Sequence, residues 1–273
     1  MIWHLNNTTI RNPRRYLEAL RAYDKHGPIE GLFDRGNVTA QKKLYNLILD
    51  AGVINSDVRD SDFNGRKWRL GFRDLGLIAY KDSNDEPSGA ITKSGKALLD
   101  AKNEAELQDV YFRIILNLEM RKKGMCFRPI PLILSVIKLL KESGARDSIN
   151  LVEFSITLQD YREALSPEDY YIEIIKFREL VEKNRGKLKE LYANTYKKVY
   201  ERNNRNPSIQ TISREYPDVS FRLLELSGLF RIEGAKLTLD SQYSNFLSTL
   251  CLDNETMPSE LTYYQKISSL PVG

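Results

Sequence analysis

Phe72-Arg73-Asp74-Leu75-Gly76-Leu77-Ile78 leads through a polar stretch into Ala90-Ile91-Thr92-Lys93-Ser94-Gly95-Lys96-Ala97-Leu98-Leu99. Phe221-Arg222-Leu223-Leu224-Glu225-Leu226-Ser227-Gly228-Leu229-Phe230-Arg231-Ile232 turns at Glu233-Gly234 into Leu237-Thr238-Leu239. Both segments read as helix, strand, turn, strand. A helix stopped by glycine, then an apolar pair, a polar tip and a second short strand, is how a winged-helix unit closes behind its recognition helix. The expected fold is therefore mainly α with small β wings: two winged-helix (helix-turn-helix) units joined by a helical connector.

The first twelve residues, with Asn6, Asn7, Thr8, Thr9 and Arg11, read as an arm. Asn12-Pro13 predicts a cap and first turn for a helix through Tyr16, Leu17 and Leu20. Leu44, Leu47, Ile48 and Ala51 predict a second helix, stopped at Gly52, and a third spans roughly 62 to 75. From Glu104 the periodicity is purely helical. Leu107, Val110, Ile114 and Leu118 form one stripe; Ile133, Val136, Ile137 and Leu140 form another. Ser148 is expected to cap a short helix through Phe154, and Ser166-Pro167 to open one buried along Ile172, Ile175, Phe177 and Leu180. The second winged unit then uses Leu188 to Tyr200, Ser208 to Arg214 and Asp218 to Ser227 as its three helices. Expected domains are 1–103 (arm and first winged unit), 104–185 (connector) and 186–273 (second winged unit and tail).

At 273 residues, 41% hydrophobic and 29% charged, the chain has a globular composition, neither disordered nor membrane-spanning. Lys138 breaks the most apolar run, Ile130 to Leu140, which is far too short for a span. Met1-Ile2-Trp3-His4 opens no apolar signal sequence, so a cytoplasmic location is expected. Cys126 and Cys251 lack metal-ligand spacing and only His4 and His26 could join them, so two reduced, mostly buried thiols are expected.

The net charge of +4 is modest. Its distribution is not, because Lys183, Arg185, Lys187, Lys189, Lys197, Lys198, Arg202 and Arg205 face only Glu190 and Glu201 in their window. Such a surplus on one segment suits a polyanion-facing side. In the third helix, Arg66, Arg69 and Arg73 fall on one side of a helical wheel, with Trp68, Phe72 and Leu75 opposite. That helix precedes the strand and wing, where a recognition helix belongs, and arginine pairs bidentately with guanine. The expected base-reading residues are Asn6, Asn7, Arg11, Arg14, Arg66, Lys67, Arg69 and Arg73. Arg15, Lys197, Lys198, Arg202, Arg205, Arg214 and Arg222 are expected on phosphates, where they fix register without reading sequence. Tyr192, Tyr196 and Tyr200 share a face and read as half-buried packing. The acidic tip Asp82-Ser83-Asn84-Asp85-Glu86 should stay off phosphates.

Hydrolytic chemistry is not visible. A DNA-cutting site needs clustered carboxylates with a lysine, and the nearest sequence match, Asp100-Ala101-Lys102, falls on the helix after the wing. No Walker loop, dinucleotide fingerprint, nucleophile elbow or zincin motif occurs.

Trp3, Thr8-Thr9-Ile10-Arg11-Asn12-Pro13 with Arg15, Leu75-Gly76-Leu77-Ile78, Ile91-Thr92-Lys93-Ser94-Gly95-Lys96-Ala97-Leu98, Ile130-Pro131-Leu132-Ile133-Leu134-Ser135-Val136-Ile137-Lys138-Leu139-Leu140-Lys141 and Ser227-Gly228-Leu229-Phe230 together resemble the DNA-recognition region of type IIS restriction endonucleases related to AlwI and its nicking relatives. The resemblance covers most of the chain as a succession of short motifs. It implies a two-part enzyme in which an N-terminal winged-helix region binds a short asymmetric duplex site and a separate C-terminal domain cuts at a distance. Such a domain would use a divalent metal such as Mg. This sequence ends at Gly273 without that half, so it is expected to be non-catalytic by itself, to need no cofactor, and to bind double-stranded DNA as a monomer. The competing readings are a winged-helix transcription regulator, which would normally dimerise on a palindrome, and an interaction scaffold that binds no nucleic acid.

Overall fold

The structure is a computed structural model that describes residues 2–5, 10–56, 58–80, 87–122, 125–205 and 207–244. The described chain divides into two units, one of residues 10–118 and one of residues 2–5 with 119–244. It is mainly helical, and no helix among the described residues is long and apolar enough to cross a membrane.

The first unit runs α1 (Arg15–His26), α2 (Val38–Asp50), α3 (Asp62–Asp74), α4 (Lys93–Asp100) and α5 (Glu104–Leu116). Asn12 does cap a turn, accepting from the Arg14 amide at 3.1 Å, but α1 proper begins at Arg15. The core lies where α1, α2 and α3 meet. Tyr16 and Tyr23 from α1 pack on Trp68 and Phe72 from α3, with ring centroids 5.6 to 6.2 Å apart. Trp68 and Phe72 are 1% and 0% exposed, so each contributes about 1.5–3 kcal/mol by leaving water. Two glycines make this approach possible. A Cβ on Gly65 would stand 1.9 Å from the Gln41 carbonyl of α2, and one on Gly71 would stand 2.3 Å from the Tyr16 hydroxyl.

The helix stop shared by the two repeated segments is present in both units. Gly76 (φ 65°) ends α3, its amide on the Arg73 carbonyl and the Leu77 amide on that of Phe72. Gly228 (φ 70°) likewise returns its amide to the Glu225 carbonyl. Beyond α3, the described residues show an antiparallel bridge of Ile78 with Ile91 in place of the expected strands, with the Ala79 amide on the Ala90 carbonyl and a turn at 87–90 in which the Ala90 amide reaches the Pro87 carbonyl. The acidic tip expected at 82–86 lies outside the described residues. Thr92 latches the end of this segment: its hydroxyl donates to the Gly76 carbonyl at 2.5 Å and accepts from the Gly95 amide at 3.0 Å, capping α4. That latch is what the Thr92-Lys93-Ser94-Gly95 motif does.

The second unit contains β1 (Met120–Lys122), β2 (Met125–Phe127), α6 (Pro129–Glu142), β3 (Ile149–Asn150), α7 (Leu151–Ile156), α8 (Pro167–Lys183), α9 (Leu188–Arg202), α10 (Tyr216–Leu226), β4 (Phe230–Glu233) and β5 (Lys236–Leu239). β1 and β2 form a hairpin, and β3-β5-β4 an antiparallel sheet with Ile149 opposite Leu237 and Phe230 opposite Leu239. The α6 stripe of Ile133, Val136, Ile137 and Leu140 is fully buried, as its periodicity predicts.

Several expectations are corrected here. The cap of α7 is Asn150, in a reciprocal box with Glu153, because Ser148 precedes β3. In α8 the buried stripe is Tyr170, Ile174 and Phe177, whereas Ile172 and Leu180 are 42% and 46% exposed. Tyr170 sets that face by accepting the Arg162 amide at 2.7 Å. The two helices expected at 208–214 and 218–227 form one continuous helical run, joined by a π-helical turn (Thr211–Glu215) with no break into α10. Pro217 has no amide to return to the carbonyl four residues back, and the widened turn accommodates that missing bond without ending the helix.

The arm reading is also corrected for residues 2–5, which belong to the second unit. Trp3 is 2% exposed, donates from Nε1 to the Leu158 carbonyl at 2.7 Å, and meets Phe127 and Phe154 edge-on. Ile2 bridges to Asp160, and the Leu5 amide donates to the Ser220 hydroxyl. Tyr196 is buried and Tyr192 and Tyr200 partly buried against Ile2, Ile156, Phe177, Val199 and Ile212, so this face is packing.

Gly65→Ala should lower the unfolding free energy by about 1–3 kcal/mol, since a backbone carbonyl must move to admit the methyl. Gly186→Ala, where an added Cβ meets nothing within 4 Å, should stay within about 0.5 kcal/mol of the parent in the same urea titration.

Candidate nucleic-acid interface

The α3 helix begins at Ser61, whose side chain accepts the Asn64 amide at 3.2 Å. With Gly65, Trp68, Gly71 and Phe72 turned inward, the helical period leaves Phe63, Arg66, Lys67, Arg69 and Arg73 toward the other side. Arg66 is exposed and forms no ion pair among the described residues. Its guanidinium lies 5.4 Å from the centre of the Phe63 ring, and the Lys67 ammonium lies 4.2 Å from the same centre.

The other two arginines are held more closely. Arg73 pairs with Asp74 at 2.7 Å and sits over the Tyr80 ring at 5.4 Å. Tyr80 in turn meets Phe33 edge-on. Arg69 is half sunk: its Nη1 reaches the Leu32 and Asp34 carbonyls only at 3.4 and 3.5 Å, and its Nε is buried without a partner. Burial, followed by the charge of Arg73, pushes the Arg69 pKa down; Tyr80 opposes the shift, and Arg66 adds a smaller push in the same direction as Arg73. An anion arriving at this cluster would relieve both penalties, desolvation and like-charge repulsion.

The remaining predicted residues are scattered in character. Arg11 is exposed; Arg15 is half-buried at the start of α1. Arg14 makes a bidentate pair with Glu104, 2.7 and 2.5 Å, with both side chains half exposed. The hydrogen bond from Arg14 holds the Glu104 carboxyl below its ordinary pKa. Asn6 and Asn7 lie outside the described residues.

On α9, Lys197 and Lys198 are exposed while Tyr196 and Val199 turn inward. Arg205 is exposed just past the helix, in the left-handed region (φ 58°), with its amide on the Tyr200 carbonyl. Arg214 is exposed on the π-helical turn. Arg222 pairs with Asp218 one turn back on α10 at 3.0 Å. Arg202 donates from Nε to Asp160 at 2.7 Å, and Asn203 donates to the other oxygen at 2.9 Å. Asp160 is fully buried, so Arg202 compensates an interior charge.

Sequence reasoning missed Phe63, an aromatic side chain 52% exposed on the cationic side of α3. A wheel centred on Arg66 places it about 60° away, against about 200° for Trp68, which is the signal that could have found it. Asp100 sits at the exposed end of α4. Among the described residues no group of three or more His, Cys, Asp or Glu side chains is placed to hold a metal ion.

Residues 73–270 match the sequence model of a family described as AlwI restriction endonuclease. No curated protein matches the chain. Its fold is similar to that of the BpuJ1 endonuclease binding domain, solved in complex with pyrene- and phenanthrene-modified DNA. The TM-score is 0.54 at 10% identity, over 92% of this chain and 91% of that one.

Arg202→Ala should lower stability by about 1–3 kcal/mol, because Asp160 stays buried with one partner fewer. Lys198→Ala should leave the thermal midpoint within a degree or so of the parent, being a solvated surface change. Calorimetry on the two variants separates structural cations from available ones.

Proposed function

The chain belongs to the AlwI restriction endonuclease family, and on that premise we propose that the part described is a target-recognition module for double-stranded DNA. The observation that carries this reading is the α3 cation face, fixed outward by Trp68 and Phe72 and not neutralised by acidic neighbours at Arg66. The solved domain that shares the fold is a DNA-binding one, which supports the same reading.

In this proposal the first unit acts as a winged-helix reader. α1 and α2 carry α3, the bridge of Ile78 with Ile91 follows it, and the N-terminal half of α3 enters the major groove. Arg66 and Lys67 meet base edges there, and Arg69 and Arg73 follow once an anion draws them from their present partners. Arg11, Arg14 and Arg15 supply further contacts before and at the start of α1, with Asn6 and Asn7 as base contacts. The second unit, whose continuous helix at 209–226 lacks the expected turn, contributes phosphate contacts through Lys197, Lys198, Arg205 and Arg214. Arg202 and Arg222 reach phosphate only by leaving Asp160 and Asp218.

Two unlike units on one chain suit a short asymmetric site bound by a monomer. Strand cleavage, and the divalent cation it uses, belong in this proposal to a separate nuclease part.

Selection from a randomised duplex pool, followed by binding at fixed salt, tests this. Arg66→Ala should cost about 1–3 kcal/mol on the selected site and much less on scrambled DNA. Lys197→Ala and Lys198→Ala should weaken both duplexes alike and lower the salt slope by about one unit each. Failure of the pool to enrich any sequence, or equal losses on both duplexes for every α3 variant, would refute α3 as the reader.

A further inference from the structure

Phe63 is the second residue of α3, and its ring is left more than half in water although the first unit has an aromatic core a turn away. A single exposed phenylalanine is ordinary on a protein surface. This one is set apart by its surroundings. Arg66 and Lys67 both lie over the ring, at 5.4 and 4.2 Å, and the ring belongs to the same side of α3 as the proposed reading face.

The first turn of a recognition helix is the part that reaches base edges. The two cations over the ring are side chains drawn to phosphate and to guanine, so the approach of a duplex competes for them and turns the ring toward the bases. In the major groove the apolar group available to an aromatic side chain is the C5-methyl of thymine, which no other unmodified base carries. We propose that Phe63 is a specificity-determining residue that reads one thymine through its C5-methyl, beside the hydrogen-bonding contacts of Arg66 and Lys67. This rests on the proposed function, and it assigns Phe63 a role that charge alone would not.

The test uses the full chain and the duplex recovered by selection from a randomised pool, with each thymine replaced in turn by deoxyuridine, which pairs identically but lacks the methyl. At one position the parent should lose about fourfold in affinity, the expectation for uncovering one methyl group. Phe63→Ala should bind the thymine duplex several-fold more weakly and show no further loss with deoxyuridine at that position. Phe63→Leu, which keeps an apolar group, should retain part of the sensitivity. Unchanged thermal unfolding of both variants will confirm that an exposed side chain was altered and not the fold. A selected site without thymine, a deoxyuridine penalty that persists in Phe63→Ala, or Phe63→Ala binding with parental affinity would each overturn the assignment. So would a rise in 2-aminopurine fluorescence that depends on Phe63, since it would mean a base is unstacked onto the ring. If the pool enriches nothing, duplex recognition itself fails; if it enriches a site that deoxyuridine does not weaken, only the role of Phe63 fails.

Discussion

The close approach of α3 to α1 and α2 is the contact on which the rest of the first unit depends. Gly65 lets α3 ride against the Gln41 carbonyl, and Gly71 leaves room for the Tyr16 ring. With no Cβ at either place, Trp68 and Phe72 sink fully between Tyr16 and Tyr23. A helix pinned so firmly on one face has no freedom to rotate, and its opposite face is fixed by geometry alone. That is why Phe63, Arg66 and Lys67 are presented together. The Gly76 stop and the Thr92 latch then hold the chain behind α3 in place.

The second unit is organised around buried charge. Glu153, 1% exposed, accepts from Arg178 at 2.9 and 3.0 Å and from Arg146 at 2.7 Å. Arg178 also donates to the Arg146 and Ser148 carbonyls, tying α8 to the start of the β3 segment. Asp160 is answered by Arg202 and Asn203 from the end of α9. Removing one member of such a set leaves an uncompensated interior charge, so these pairs specify how the helices assemble more than they add to net stability. They also change the meaning of the basic composition. Of the cations between 183 and 205, Arg185 is paired with Glu182 and Arg202 with Asp160, while Lys197 and Lys198 on α9 and Arg205 beyond it stand in solvent.

Local signals in the sequence were legible and distant ones were not. The bounds and faces of α3, the glycine stops at Gly76 and Gly228, the Ser166 cap and the α6 stripe all depend on residues within a turn or two of each other. The role of Trp3 depends on Leu158, Phe127 and Phe154, far along the chain, so a polar N-terminal stretch read as an arm. The pairing of Arg202 with Asp160 was hidden for the same reason, since Asp160 is 42 residues away. Residues 208–227 read as two helices, although a π-helical turn can carry one helix past the missing amide of Pro217. Ile172 and Leu180 read as core because periodicity cannot tell which of two adjacent stripes will find a partner. For the candidate interface, the wheel separated cations from core correctly but could not foresee that Arg69 would settle on the Leu32 and Asp34 carbonyls.

The central claim is that α3 is the element that meets base edges. Photo-cross-linking from duplexes carrying 5-iodouracil at single thymine positions, with the adducts mapped by peptide mass spectrometry, tests it most directly. The account predicts that at least one position in the selected site cross-links within residues 62–73, and that scrambled duplex gives no such adduct at the same protein concentration. Adducts confined to residues 2–12 or to the unit containing α9 and α10, with none on α3, would contradict it.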